Sequence, residues 1–332
     1  MSAARNSTAT ATTATADPAV GDAHAGAESR GDARARPRPI GRFAPSPSGP
    51  LHLGSLLAAL GSFLDAHHAG GDWLLRLDDL DRPRCRPEHD VAILEALTAH
   101  GLIPSSPVRR QTDEPHRYAA ALAALEARDL LFTCDCSRRE LAAAGVAGAV
   151  EPCCLRDCRS RRPPAADAAL RADLSALRPM AREDRSLGTI RFDPGQHRDV
   201  VVRRRDGIVA YALAVVVDDA EAGVTDVVRG GDLWEGTGWQ LALHQALGLE
   251  PPRYLHLPVV TEPDGAKLAK SRRAVPLDAA AAAHNLAQVL GWLRQPVPAA
   301  LREGDIAAGL TAAAAQWDVA RFSGLAEIRL PG

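Results

Sequence analysis

Lysine is almost missing from this chain. Among its 39 Lys+Arg in 332 residues only Lys267 and Lys270 are lysines, so arginine carries every other cationic position. Where positive charge alone suffices, the sequence uses guanidinium. Two ammonium groups three residues apart then point to a compact, mobile charge suited to a phosphate. Long apolar runs are missing too. None approaches the ~20 residues of a membrane span, and no charged-then-apolar secretory signal opens the chain, so a cytoplasmic protein with no membrane partner is expected. Cysteine is scarce: six residues in a chain of this length make no disulfide scaffold. The net charge of −2 argues against a polycationic nucleic-acid coat while leaving room for a local basic surface.

A hydrophobic content of 46 % and a charged content of 24 % fit a globular enzyme with a sizeable core and more than one domain. Residues 1–38 are Ala, Thr, Ser, Gly and Arg without periodicity, and are expected to be disordered. Asp17, Asp22, Glu28 and Asp32 count against a transit peptide.

Ile40-Gly41-Arg42-Phe43-Ala44 reads as the end of a buried strand, and the breakers from Pro45 to Pro50 as a tight loop. Residues 51–67 carry apolar side chains at helical spacing. A strand, a tight loop and a helix N-terminus make an anion site, because unpaired amide N–H groups and the helix dipole converge there. His52, Gly54 and Ser55 fall in the first turn. A second strand, 73–77, ends in the acids Asp78, Asp79 and Asp81, and helices are predicted over 88–100 and 114–129. His89, His100 and His116 do not cluster and are read as surface residues.

Five cysteines lie between Cys134 and Cys158, as Cys-Asp-Cys and then Cys-Cys-Leu-Arg-Asp-Cys. Two close groups joined by a longer loop fit a tetrahedral zinc site with thiolate ligands, one structural ion per chain. Arg156, Arg159, Arg161 and Arg162 flank it, as solvated charge or as contacts to RNA phosphates, and a second run, Arg203–Arg205, closes a strand. Asp206-Gly207 closes a hairpin after a strand from about Asp199. From Ile208 the chain reads as a buried parallel strand followed by another, with Tyr211, Asp218, Asp219, Arg229 and Asp232 at their ends. A helix over 233–247, a strand over 254–260, and helices over 277–293 and 306–317 complete the reading.

His52-Leu53-Gly54-Ser55 resembles the HIGH signature of class I aminoacyl-tRNA synthetases, and Lys267-Leu268-Ala269-Lys270-Ser271 resembles their KMSKS loop, with Ala269 where serine is common. The strand ending in Asp78 and the Val-Arg-Gly-Gly-Asp segment around Arg229 resemble the glutamyl- and glutaminyl-type members. Length narrows this further. About sixty residues follow the lysine loop, too few for extra anticodon-binding domains, so the chain resembles the short glutamyl-Q tRNA(Asp) synthetases.

The resemblance implies an α/β class I Rossmann-type parallel sheet with an inserted, zinc-containing acceptor-binding segment and a short C-terminal helical extension. Its divisions are residues 39–116 and 204–262 for the catalytic halves, 117–203 for the insert and 263–332 for the lysine loop and extension. His52, Lys267 and Lys270 are the expected catalytic groups, with Gly54 and Ser55 sharing the ATP site and Mg²⁺ arriving with ATP. Arg42, Phe43, Ala44, Pro45, Ser46, Asp78, Tyr211 and Arg229 are expected to meet glutamate, with Asp78 one methylene shorter than the family's usual acid. Cys134, Cys136, Cys154 and Cys158 are the implied metal ligands, with Cys153 the rival of Cys154. The implied partners are ATP, L-glutamate and tRNA(Asp) carrying queuosine, acting on a monomer. A truncated glutamyl-tRNA synthetase, a HIGH-type adenylyltransferase with a small acceptor, and a non-enzymatic zinc-dependent RNA-binding protein remain open.

Overall fold

The computed structural model describes residues 38–141, 154–155, 157–265, 268 and 275–330, Arg138 by its backbone alone. The expected disordered tail, Cys153, Arg156, Lys267 and Lys270 lie outside the described residues. Strand β1 (Ile40–Phe43) leads through the proline-serine loop into helix α1 (Leu53–His68) and strand β2 (Asp72–Leu77). Helix α2 (Pro87–Ala99), β3 (Arg109–Arg110), α3 (His116–Ala127) and β4 (Leu131–Cys134) follow. Two short turns of helix, α4 (Arg138–Leu141) and α5 (Cys158–Arg161), precede the strands β5 (Ala169–Asp173), β6 (Met180–Asp184) and β7 (Gly188–Phe192). Then come α6 (Pro194–His197), β8 (Asp199–Arg203), α7 (Tyr211–Glu221), β9 (Asp226–Gly230) and α8 (Trp234–Leu247). The last elements are β10 (Arg253–Leu257), β11 (Val259–Thr261), α9 (Ala282–Trp292), α10 (Ala299–Arg302), α11 (Ile306–Ala315) and β12 (Glu327–Arg329).

Seven strands form the main sheet in the order β3-β2-β1-β9-β10-β6-β7, parallel except for the β6–β7 hairpin. The chain moves outward from β1 to β2 and β3, then returns on the other side of β1 with β9 and β10. That reversal between β1 and β9 opens a crevice at the strands' carboxyl ends, where open α/β sheets bind ligands. Helix α1 packs over β1 and β9 by its leucine stripe, with Leu56, Leu60 and Leu64 fully buried. Gly61 allows the close approach, since a Cβ there would lie 2.7 Å from Leu257 Cδ1. A separate antiparallel sheet, β4-β5-β8, carries the cysteine end of β4, and β11–β12 forms a two-stranded sheet.

Three sequence expectations are corrected. Residues 211–221 form helix α7 and not a parallel strand. Its run of Ala, Leu and Val is apolar all round because it is buried all round, among α3, α8, β5 and β8, and continuous apolarity carries no period to distinguish the two. The strand expected over 254–260 breaks at Pro258 into β10 and β11, since proline cannot donate to a ladder. His100 is fully buried, with Nδ1 on Ala96 O at 2.7 Å and Nε2 3.1 Å from Asn285 Nδ2, tying the end of α2 to α9. Among the described residues no helix is long and apolar enough to cross a membrane.

Candidate functional site

A cavity of about 490 Å³ occupies the crevice at the switch point. The end of β1 and the loop after it supply Arg42 to Ser46 to its lining, and the start of α1 adds His52, Gly54 and Ser55. The end of β9 supplies Val228 to Gly230, and Tyr211, Asp232 and Leu268 complete its polar and apolar rim. Leu268 is the one described residue inside the Lys-Leu-Ala-Lys motif, and it lines the same cavity as the His-Leu-Gly-Ser turn.

His52 is the N-cap of α1. Its backbone N–H donates to Ser55 Oγ at 2.7 Å, and Ser55 N–H donates to His52 Nδ1 at 3.2 Å. Accepting at Nδ1 places the proton of the neutral imidazole on Nε2, and burial lowers its pKa from the usual histidine value, so the neutral form prevails. Gly54 makes room for the ring: a Cβ there would meet His52 Cε1 at 3.0 Å. The helix start therefore presents unpaired amide donors beside a histidine of defined tautomer, an arrangement suited to phosphate oxygens.

The two arginines of the cavity differ in what balances them. Arg42 donates through Nε and Nη2 to Asp219 at 3.2 and 3.0 Å, a buried bidentate pair. Arg76 shares the same carboxylate through Nη1 at 2.6 Å and holds Asp78 through Nε at 2.7 Å. Burial alone would raise the Asp219 pKa, but Arg42 and Arg76 overcome it and hold it at about 2. Asp78 is the reverse case: burial, only partly offset by Arg76, pushes it up to about 6. Asp78 is not among the residues lining the cavity.

Arg229 is 5 % exposed and forms no ion pair with any carboxylate among the described residues. Its Nε donates to His256 Nε2 at 3.2 Å, its Nη2 to Thr237 Oγ1 at 2.7 Å, and it lies 5.2 Å over the Tyr254 ring. Its Nη1 is buried without a hydrogen-bond partner. A buried, unneutralised cation with unused donors is costly unless an anion completes it, and a guanidinium can clamp a carboxylate with two parallel bonds. Tyr211, 45 % exposed at the first turn of α7, lines the same space.

The Sγ atoms of Cys134, Cys136, Cys154 and Cys158 all lie within 4.8 Å of one another, with Cys136 3.9 Å from both Cys154 and Cys158. Thiolates on a tetrahedral ion with bonds of ~2.3 Å stand about 3.8 Å apart, so the four sulfurs fit one metal ion. Arg161 Nη1 lies 3.6 Å from Cys158 Sγ, and the Cys154 backbone N–H donates to Asp199 at 3.1 Å. Burial pushes the Cys134 thiol up to about 12, so a bound cation would have to draw off its proton. Of the flanking arginines, Arg159 pairs with Asp129 and Asp173, Arg161 with Asp135, and Arg204 with Asp81 and Asp206. Much of this charge braces the knuckle itself.

Comparison with known proteins meets this geometry. The family described as tRNA synthetases class I (E and Q), catalytic domain, matches residues 40–288. A protein of Pseudomonas aeruginosa PAO1 named glutamyl-Q tRNA(Asp) synthetase is 45 % identical over 284 residues, covering 85 % of this chain and 94 % of its own. This chain belongs to that synthetase family. A Xanthomonas campestris protein of the same name is 49 % identical over 239 residues, covering 72 % of this chain and 77 % of its own. The crystal structure of a glutamate tRNA ligase from Elizabethkingia meningosepticum, in complex with its amino acid, superposes with a TM-score of 0.71. At 23 % identity, over 88 % of this chain and 67 % of that one, it shows that the fold is shared. The class I synthetase fold and its ligase class are thereby established.

Sequence reasoning missed four residues of this synthetase's site region. Arg76 sits mid-strand in β2, Asp184 on the β6 hairpin, His256 inside β10 and Thr237 inside α8. A histidine within the apolar Tyr-Leu-His-Leu run was the available signal for His256, because a buried imidazole must find partners.

Proposed function

We propose that this synthetase activates L-glutamate with ATP and transfers it to queuosine in tRNA(Asp). The observation that carries the glutamate half is Arg229 of the cavity lining, a buried guanidinium with no carboxylate partner among the described residues and an unpartnered Nη1. Arg42, neutralised by Asp219, is not free for that role, so the substrate's side-chain carboxylate is assigned to Arg229. Tyr211 and the Phe43–Ser46 loop enclose the rest of the amino acid. We assign no amine contact to Asp78, whose carboxyl is engaged by Arg76.

The α-carboxylate of glutamate attacks the α-phosphorus of ATP and pyrophosphate leaves. An acceptor hydroxyl then takes the acyl group and AMP leaves. No protein nucleophile is needed, so positioning and charge stabilisation do the catalytic work. His52 donates from Nε2 and the first amides of α1 from the backbone to phosphate oxygens. Lys267 and Lys270, by resemblance to the KMSKS loop, meet the charge developing on pyrophosphate. Mg²⁺ accompanies ATP. Cys134, Cys136, Cys154 and Cys158 would hold one zinc ion as a structural site that fixes this segment, with all four positions taken by thiolates and none left for substrate.

The queuosine half is supported by the relatives' names. In this reading the anticodon loop enters where other synthetases place an acceptor stem, and the cis-diol of queuosine's cyclopentene ring stands in for a terminal ribose. The test offers radiolabelled glutamate with tRNA(Asp) carrying queuosine, tRNA(Asp) lacking it, and tRNA(Glu). Label confined to the first, falling as salt rises, is expected. Label on tRNA(Glu), or at the 3′ end of any tRNA, overturns the reading in favour of a truncated glutamyl-tRNA synthetase.

A further inference from the structure

Arginine has five N–H donors and no acceptor, so whatever orients it must accept. The usual buried partner is a carboxylate, as Asp219 is for Arg42. Arg229 is held differently. Its Nε–H goes to His256 Nε2 and one Nη2–H to Thr237 Oγ1, both uncharged acceptors, and Thr237 Oγ1 in turn donates to Leu233 O at 3.0 Å. The side edge of the guanidinium is thus occupied and the end edge, Nη1 with the second Nη2–H, is left over.

His256 can accept at Nε2 only if its proton is on Nδ1. Asp184 enforces this. Its Oδ2 lies 2.7 Å from His256 Nδ1 and also accepts from the His256 backbone N–H at 3.1 Å, while Oδ1 accepts from Ser186 N–H and Leu187 N–H at 2.9 Å. His256 is fully buried, its ring edge-on to Trp234 at 5.3 Å and stacked with Tyr254 at 6.0 Å, so it cannot turn over. Asp184 fixes the tautomer, His256 fixes the guanidinium, and no carboxylate among the described residues pairs with the cation.

We propose that His256, locked by Asp184, is a positioning residue that aims Arg229 at the substrate's side-chain carboxylate while leaving its charge intact, and that this makes the pocket select glutamate over glutamine. The inference rests on the reading of Arg229 as the glutamate receptor. An amide can satisfy donors but cannot neutralise the buried cation, so glutamine leaves the cost of burial in place. A carboxylate at position 256 would neutralise Arg229 from within and remove that discrimination.

The experiment measures ATP–pyrophosphate exchange with glutamate and with glutamine for wild type, His256→Ala, His256→Gln and His256→Glu. Gln can place its carbonyl oxygen near the His256 Nε2 position, so His256→Gln should retain most of the glutamate affinity. His256→Ala, which leaves a buried donor unmet and the fork unaimed, should raise the glutamate KM roughly 10- to 100-fold with the ATP KM unchanged. His256→Glu should lose glutamate while narrowing the glutamate-to-glutamine preference. If His256→Ala fails to fold, the Gln and Glu variants, alike in shape and different by one charge, decide the point alone. Glutamate and ATP KM rising together, or equal glutamate-to-glutamine ratios in the Gln and Glu variants, overturns the positioning role. Wild-type exchange indifferent to glutamate instead removes the pocket reading beneath it.

Discussion

Asp219→Asn tests the charge balance on which the site is built. One carboxylate, 4 % exposed, accepts two bonds from Arg42 and one at 2.6 Å from Arg76, so its loss strands the buried Arg42 and leaves Arg76 with Asp78 and Asp218. The pKa of about 2, against 3.8 for an unperturbed carboxyl, corresponds to about 2 kcal/mol at neutral pH. Breaking a buried pair by removing one partner costs about 3–5 kcal/mol in general. Between these limits, the melting temperature should fall by roughly 5–15 °C. The pH dependence has a definite sign. A depressed carboxyl contributes fully above its unfolded pKa and loses that contribution as pH falls through the folded one. The gap between wild type and variant should therefore hold steady from pH 8 to 5 and close below 3.8, toward 2. Thermal unfolding followed by circular dichroism across that range is the assay. A loss under about 1 kcal/mol at pH 7, or a gap that widens in acid, would refute the reasoning.

His244, 2 % exposed with an unpartnered Nδ1, has its pKa pushed down by burial to about 4. The unfolded chain then binds more protons between that value and 6.5, so wild type should lose about 3 kcal/mol on acidification through this window. His244→Leu should flatten that part of the stability curve, and an unchanged curve would show the histidine to be solvated. Cys154→Ser should abolish bound zinc, measured by metal analysis of purified protein, while Cys153→Ser keeps it; the reverse would exchange their roles. Lys270→Ala should slow glutamate-dependent exchange about 100-fold, the scale of one oriented transition-state donor. A loss under threefold would remove that lysine from the mechanism.

The parts of the site legible in the sequence were those whose chemistry is local. A histidine and serine three apart after a proline-rich loop make their own cap, so His52 and Ser55 could be placed without knowing the fold. The close cysteine groups, Cys134 with Cys136 and Cys154 with Cys158, are likewise short-range pairs, and four sulfurs of one cluster follow from them. What stayed hidden depends on contacts far apart in the chain. Asp184 and His256 are separated by 72 residues, and Asp219 reaches Arg76 across 143. Helix α7 was misread for a related reason: burial by four neighbours erases the polar face that would have shown its period.

The β6–β7 hairpin gives residues 117–203 a different standing from a detachable module. It lies within that span, yet its strands extend the main sheet and its Asp184 grips His256, which holds Arg229 of the cavity lining. Arg185, next in the chain, clamps Asp65 of α1 by two bonds at 2.6 and 2.8 Å. A graft that swaps the β4-β5-β8 sheet alone leaves Asp184 and Arg185 in place, while one that carries the whole span must also match a new host at both residues. The contacts that brace the cavity and those that build the second sheet are thus inherited through one continuous stretch of chain.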